Sequence, residues 1–416
     1  MTVPGTCSGQ PLPDGWRWVR LGEVLLVLES GSRPKGGAVG VESGVRSISA
    51  EQMTINGNFD FAIKRYVPRD FYEQMTRGHL QHGDILIVKD GATTGKTCFV
   101  DETFPFREAV VNEHVFICRA NQDRVQSLFL FYWLWGPQGQ YEIRSSFQGA
   151  AIGGINQGFV DSVSIPLPPL VEQRRIAAVL REQMVAVKQA RAAAQARLTA
   201  VKTLPASILR EAFSPARIEQ CKLTTIDQIA SVVIDGPHVT PSYVPQGIPF
   251  ITVKNIHNGR LDFSVLSYIT EEDHKQFCRR GRAERGDILY TKDGTLGIPC
   301  VVDTDEEFSF FVSVALIKLR REIAVPEFVA YAMKSRYVLH QVDRLGAGAG
   351  LKHMVLKSIR SLVIPCPSLE EQRRIAGVLR EQMAAVEKAR TAAEEELHTI
   401  NALPSALLRR AFNGEL

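Results

Sequence analysis

Residues 172–187 read EQRRIAAVLREQMVAV and residues 371–386 read EQRRIAGVLREQMAAV, an offset of 371 − 172 = 199 with only Ala178/Gly377 and Val185/Ala384 differing. The same offset aligns Leu204–Phe213 (LPASILREAF) with Leu403–Phe412 (LPSALLRRAF), and Ile165-Pro166-Leu167-Pro168 with Ile364-Pro365-Cys366-Pro367. Further upstream, GDILIVKDG at 83–91 matches GDILYTKDG at 286–294, where the offset has drifted to 286 − 83 = 203. A solenoid repeats every ~20–50 residues, so this 416-residue chain is instead a two-copy duplication of a domain-sized unit. Each copy has a variable part followed by a nearly invariant one. That asymmetry implies that the invariant parts meet something identical in both halves, while the variable parts meet different things.

The invariant parts read as helices. Leu170 to Thr203 contains neither Gly nor Pro, and Ala, Arg, Gln, Glu and Lys dominate it, with Pro169 and Pro205 as brackets. In the second copy Ser368 and Glu371 have capping-box spacing, whereas Pro169 takes the Ser position in the first. Apolar positions recur in steps of four and three at Leu180, Met184, Val187, Ala194, Leu198 and Val201, with Arg191 in the one polar slot. The second copy repeats the stripe at Leu379, Met383, Val386, Arg390, Ala393, Leu397 and Ile400. A 3.5-residue repeat is a helix-helix seam. About 34 residues at 1.5 Å each form a rod of roughly 50 Å. If the rods pack antiparallel about a pseudo-twofold axis, Arg191 and Arg390 fall near mid-seam and need carboxylates or a route to solvent, and Glu387 and Glu394 lie within one turn of Arg390. An amphipathic stripe alone does not choose its partner, so packing of each helix on its own domain is the simpler alternative.

The variable parts alternate short β-rich runs with turn signals. Val45–Ser49, Asp84–Lys89 and Val110–Cys118 read as strands, Asn56-Gly57, Asp90-Gly91 and Gly153-Gly154 as turns, and Val125–Trp135 as a helix. The order recurs as Phe250–Val253, Asn258-Gly259, Asp287–Lys292, Asp293-Gly294, Val312–Leu319 and a helical Pro326–Ser335. The expected fold is α+β: two mixed α/β domains, 1–168 and 215–367, separated by two long antiparallel coiled-coil helices, 169–214 and 368–416.

No catalytic constellation emerges. Gly91-Ala92-Thr93-Thr94-Gly95-Lys96-Thr97 has three residues between its glycines where a P-loop needs four, and the second copy reads Gly297-Ile298-Pro299 where Gly-Lys-Thr stood. Gly346-Ala347-Gly348-Ala349-Gly350 lacks the spacing and preceding strand of a dinucleotide loop. There is no Asn/Asp-Pro-Pro-Tyr/Phe run, HExxH or G-x-S-x-G elbow, and the seven cysteines have no metal-ligand spacing and read as reduced. The longest apolar run, Leu128–Trp135, is far short of the ~20 residues of a spanning helix, and the first residues lack a leader pattern, so a cytoplasmic protein without a membrane is expected.

Net charge is 49 − 45 = +4, so contact with a polyanion has to come from local patches. Basic clusters occur in both variable parts: Arg33 with Lys35; Lys64-Arg65 with Arg69; and Lys275, Arg279, Arg280, Arg282 and Arg285. Lys89-Asp90-Gly91 and Lys292-Asp293-Gly294 each set a lysine at a strand end on a tight turn, where it could position a phosphate. A solvent-exposed hairpin is the simpler reading.

Four features together resemble the specificity subunit of Type I restriction-modification systems. They are the two GDIL-x-x-KDG turns; Gly348-Ala349-Gly350-Leu351-Lys352-His353 with its looser counterpart at 149–156; the I-P-x-P-x-x-x-EQRRIA helix starts; and the terminal Phe412-Asn413-Gly414-Glu415-Leu416. The resemblance covers nearly the whole chain. It implies two target-recognition domains, each reading one half of a bipartite asymmetric site in double-stranded DNA, with the two helices as the ruler between them. It further implies two modification subunits that supply the methyl-donor site for adenine N6 methylation, and restriction subunits that use ATP and Mg. This chain itself would then be non-catalytic, with no cofactor and no metal. The electrostatic and strand-end candidates for DNA contact are Arg33, Lys35, Lys89, Lys254, Asn255, Arg279, Arg280 and Lys292. Two other classes fit the residues: a recognition subunit of a neighbouring restriction or defence system type, and an interaction scaffold without a DNA role.

Overall fold

The computed structural model describes residues 11–35, 37, 41–147, 153–345 and 353–416. The chain divides into two compact units, Met1–Ala194 with Glu396–Leu416, and Gln195–Glu395. Each unit therefore holds one variable domain, part of the helix that follows it, and part of the other long helix.

In the first unit an antiparallel sheet runs in the order Leu25–Ser30, Val115–Ala120, Ile85–Val88, Thr97–Phe99. A second sheet joins Tyr66–Val67 to Val45–Ile48, and Val45–Ile48 in parallel to Ala109–Val111. The expected single strand 110–118 is thus two strands. The break lies at Asn112, whose Oδ1 accepts the His114 amide at 3.1 Å and whose carbonyl accepts Val115 N–H, making a side-chain-stabilised turn. The second unit repeats this plan with Ala230–Asp235, Val314–Leu319, Ile288–Thr291 and Pro299–Val301 in one sheet, and Ser309–Phe310 in parallel with Ile248–Ile251 in the other. Even the irregularity recurs, as a register shift at Leu25/Val27 and at Ala230/Val232.

The shared GDIL segment has a structural reason. Asp84, fully buried, takes a bidentate contact from Arg119 at 2.7 and 2.8 Å and accepts the Gln81 amide at 2.8 Å. Burial pushes the Asp84 carboxyl up against the pull of those hydrogen bonds, and the bond to Asp84 raises Arg119. In the second copy Asp287 accepts the Glu284 amide and a 2.6 Å contact from Lys318. The buried thiols of Cys98 and Cys300 on neighbouring strands are both pushed up to about 12 by burial, which makes them inert packing groups.

The long helices are Leu170–Ala212 and Leu369–Phe412, so Pro205 lies inside the first and does not bracket it, and the second likewise runs through Pro404. At 1.5 Å per residue each rod measures about 65 Å. Past the prolines the chain still carries an apolar face, and burying Leu209, Phe213, Leu408, Ala411 and Phe412 outweighs the lost helix bond of a proline.

Within each unit the rod segments run antiparallel. In the first, Arg175 donates to the Leu416 carbonyl at 2.6 Å, while Leu180 and Met184 share a core with Leu407, Leu408 and Ala411. In the second, Lys202 lies 3.7 Å from Glu394, while Leu209 and Phe213 share a core with Ala376 and Leu379. Burial follows the predicted stripe. Leu180, Ala194, Leu198, Leu379 and Ala393 are buried, and Met184, Val187, Val201, Met383, Val386, Leu397 and Ile400 are half-buried. The two polar slots use different solutions: Arg390 is bidentate to both Glu387 and Glu394, whereas Arg191 is exposed.

Each rod start is latched by a glutamine that the sequence reading passed over. Gln173 and Gln372 are buried. Gln173 Oε1 accepts Gln126 N–H at 2.8 Å and its Nε2 donates to the Pro168 carbonyl at 2.8 Å; Gln372 does the same with Val325 N–H and the Pro367 carbonyl, both at 2.9 Å. This ties the first helical turn to the domain helix that begins nearby. The expected capping box forms only in half: Glu371 N–H donates to Ser368 Oγ at 3.3 Å, but the Glu371 carboxylate is taken by Arg374 at 2.6 and 2.7 Å.

Candidate nucleic-acid interface

The Lys-Asp-Gly turn organises each domain's cluster of candidate residues. It follows the inner strand, Ile85–Val88 or Ile288–Thr291, and closes on Gly91 (φ +86°) and Gly294 (φ +69°), a conformation that favours glycine. The main chain of the lysine is fixed on both sides. Lys89 N–H donates to the His114 carbonyl and its own carbonyl accepts Ile155 N–H; Lys292 does the same with Ser313 and Met354.

In the first domain the turn gathers Arg33 and Lys89. His114 Nδ1 lies 2.6 Å from Asp90 Oδ1, His114 Nε2 lies 3.3 Å from Glu113, and Arg33 Nε lies 2.7 Å from the same Glu113 oxygen. Lys89 sits half-buried with Nζ 5.7 Å above the Phe116 ring. Lys35 is exposed nearby in the chain. In the second domain the turn gathers Arg280 and Lys292 around the buried Asp235, which lies 3.7 Å from Arg280 and 3.5 Å from Lys292 and also contacts His238 at 3.3 Å. His353 pairs with Asp293. The Lys254 loop joins the same neighbourhood, because Val253 N–H donates to Ser313 Oγ at 3.4 Å.

Two of the eight candidates turn out to serve the interior. Lys292 is 2% exposed, with its charge met by Asp235 and by Asp293 at 3.8 Å. Asn255 is buried, accepts from Thr252 N–H and Thr252 Oγ, and donates to the carbonyls of Asp262 and Val265. Charge and polarity in a sequence do not report burial. Similarly, Lys96, the residue that gave the turn its P-loop likeness, donates to the carbonyls of Ala50 and Met53 at 3.0 and 2.8 Å and so braces the fold.

The exposed basic clusters are largely self-neutralised. Arg65 pairs with Glu51, Arg69 with Glu108, Lys275 with Glu271, Arg282 with Glu307 and Arg285 with Asp305. Arg69 holds the Glu108 carboxyl below its ordinary range, and Arg285 does the same to Asp305. Lys35, Lys64, Lys254 and Arg279 are exposed with no carboxylate partner among the described residues. The Gly346–Gly350 run, residues 348–352 of the Gly348–His353 motif and residues 149–152 of its counterpart lie outside the described residues. Sequence reading missed Glu113, His114 and Asp235, and took His353 only as the end of the Gly348–His353 motif. The available signal was the repeat itself, because aligning the copies strand by strand shows which positions around the shared lysine differ.

The metal-ligating residue types form no group able to hold an ion among the described residues, and no described helix is long and apolar enough to cross a membrane. The family described as Type I restriction modification DNA specificity domain matches the chain twice, over residues 13–184 and 240–395. The chain is 22% identical over 430 residues to the EcoKI specificity subunit of Escherichia coli K12, covering 98% of this chain and 91% of that one. It is also 22% identical over 367 residues to the EcoBI specificity subunit of Escherichia coli, covering 82% and 76% respectively. Among solved structures, a chain from work on complex assembly and conformational transition of the type I R-M system superimposes with a TM-score of 0.75 at 21% identity, covering 98% of this chain and all of that one. The HsdS subunit from Thermoanaerobacter tengcongensis gives 0.64 at 20% identity, covering 99% of this chain and all of that one. These structural likenesses concern the fold. The family match, made twice, spans most of the sequence, and the chain accordingly belongs to the specificity subunits of Type I restriction-modification systems.

Proposed function

We propose that this chain reads a bipartite, asymmetric DNA site, one domain per half-site, and recruits two modification subunits and the restriction subunits to it. It carries no chemistry of its own. The methyl donor, ATP and Mg act in the partner subunits, and adenine N6 is the methylated position. The observation that carries this reading is the split between near-identical rods and divergent domains within one duplicated chain. Identical rods suit two copies of one partner, and divergent domains suit two different half-sites. The self-neutralised surface charge also fits a protein that binds through a few local contacts instead of a broad basic face.

Methylation sequencing of the host genome with and without the gene, alongside a pulldown of the tagged chain from its native lysate, tests this. The expected result is loss of N6-methyladenine at one bipartite motif, with a methyltransferase co-purifying. Unchanged methylation and no methyltransferase would favour an interaction scaffold. A co-purifying methyltransferase encoded without an ATP-dependent translocase as its neighbour would point to a related defence system type.

A further inference from the structure

Strand register makes the two copies of the Lys-Asp-Gly turn comparable residue by residue. Ser30 pairs with Phe116, and Asp235 pairs with Ala315, at the same position of the central strand. Ile87 and Tyr290 face these same residues from the other side, two positions before Lys89 and Lys292. Gly31 and Gly236 follow, and at each a Cβ would collide with a neighbouring carbonyl, that of Val111 or Phe310, so the backbone path is the same in both. The pair Ser30 and Phe116 in one domain has therefore become Asp235 and Ala315 in the other. The small Ala315 side chain leaves room where the Phe116 ring stands, and Asp235 supplies a carboxylate where Ser30 has a hydroxyl.

The consequence for the lysine is electrostatic. Burying an ammonium without a counter-ion is strongly unfavourable, and Lys292, 2% exposed, is compensated by Asp235 at 3.5 Å. Lys89 has no carboxylate partner among the described residues; its contact is the face of Phe116, which leaves its charge uncompensated. We propose that the duplicated lysine is used in one domain only: Lys89 contacts a DNA phosphate, whereas Asp235 neutralises Lys292 and withdraws it from the interface. This rests on the DNA-recognition reading above.

The test is the salt dependence of affinity, measured on the full chain with its co-purifying partners and a duplex of random sequence. Each phosphate contact adds about 0.9 to the slope of log affinity against log salt. Lys89→Gln is expected to reduce the slope by about that amount, so that affinity falls about three- to fourfold less between 50 and 200 mM salt. Ser30→Asp, which gives Lys89 the carboxylate Lys292 has, is expected to reduce it equally, and the double variant to show no further change. Lys292→Gln is expected to leave the slope unchanged. Should that variant fail to fold, Asp235→Asn serves in its place and is expected to steepen the slope. Equal slope changes for Lys89→Gln and Lys292→Gln, additive effects of Ser30→Asp and Lys89→Gln, or an Asp235→Asn slope like wild type would each overturn the inference while leaving DNA recognition intact. A wild-type complex without salt-dependent duplex binding would instead overturn the DNA reading, and this inference with it.

Discussion

Replacing Phe412 with alanine is expected to destabilise the first domain by about 3–5 kcal/mol while leaving the second domain unchanged. Phe412 lies at the far end of the second rod, but its ring is 5.2 Å from Phe129 and 5.0 Å from Trp133, both edge-on, inside the first domain's core. It is 4% exposed, and Leu408 and Ala411 beside it are equally buried. Truncation removes the transfer energy of the ring and leaves a cavity that two surrounding aromatic rings cannot easily fill. Against a typical domain stability of about 5–15 kcal/mol, that loss is large. Phe213, at the end of the first rod, packs on Phe328 at 5.7 Å, so Phe213→Ala is the mirror-image variant for the second domain. Hydrogen exchange resolves the two. In Phe412→Ala, amides of Ile85–Val88 and Val115–Ala120 should lose protection and those of Ile288–Thr291 and Val314–Leu319 should keep it. Equal loss in both would mean that the units do not hold separate cores.

Deleting one heptad from each rod, residues 187–193 and 386–392, is expected to abolish methylation at the native motif. The deletion keeps the seam in phase, because seven residues carry two positions of the 3.5-residue repeat, here Val187 with Arg191 and Val386 with Arg390. It shortens each rod by about 10 Å, close to three base pairs where ten span ~34 Å. Under the proposed ruler, any site that is still methylated should keep both half-sites with about three fewer base pairs between them. Methylation of the unaltered motif at native levels would show that the rods do not set the spacing. Methylation sequencing of a strain carrying only the deleted form reads either result.

The large-scale plan was legible because it repeats. Near-identity at a fixed offset exposes the duplication, and the four-three stripe marks the seam whose positions are the buried and half-buried ones, apart from Arg191. The strands around GDIL were legible because β-branched runs end in glycine turns. What escaped depends on tertiary choice. Nothing local says that Phe412 belongs to the first domain's core, since an apolar stripe does not name its partner. Pro205 reads as a bracket by its missing N–H, yet the burial of Leu209 beyond it carries the first helix on, as that of Leu408 carries the second through Pro404. Among the interface candidates, the burial of Lys292 and Asn255 was hidden for a related reason. A lysine at a strand end is exposed or buried according to a residue on the neighbouring strand, here Asp235, which is remote in sequence. Arg33 and Lys89 fall in one cluster because Glu113 and His114 bridge them, and neither bridging residue stands out by motif.

Under the proposed function, the two domains read two half-sites independently within one frame. Replacing residues 215–367 with the matching domain of a relative that directs methylation to a different motif, then sequencing the methylated bases of a host expressing the hybrid, tests it most directly. The expected result is a new motif with one half and the spacer retained and the other half exchanged for that of the donor. A motif changed in both halves, or in neither, from a hybrid that still supports methylation would contradict it.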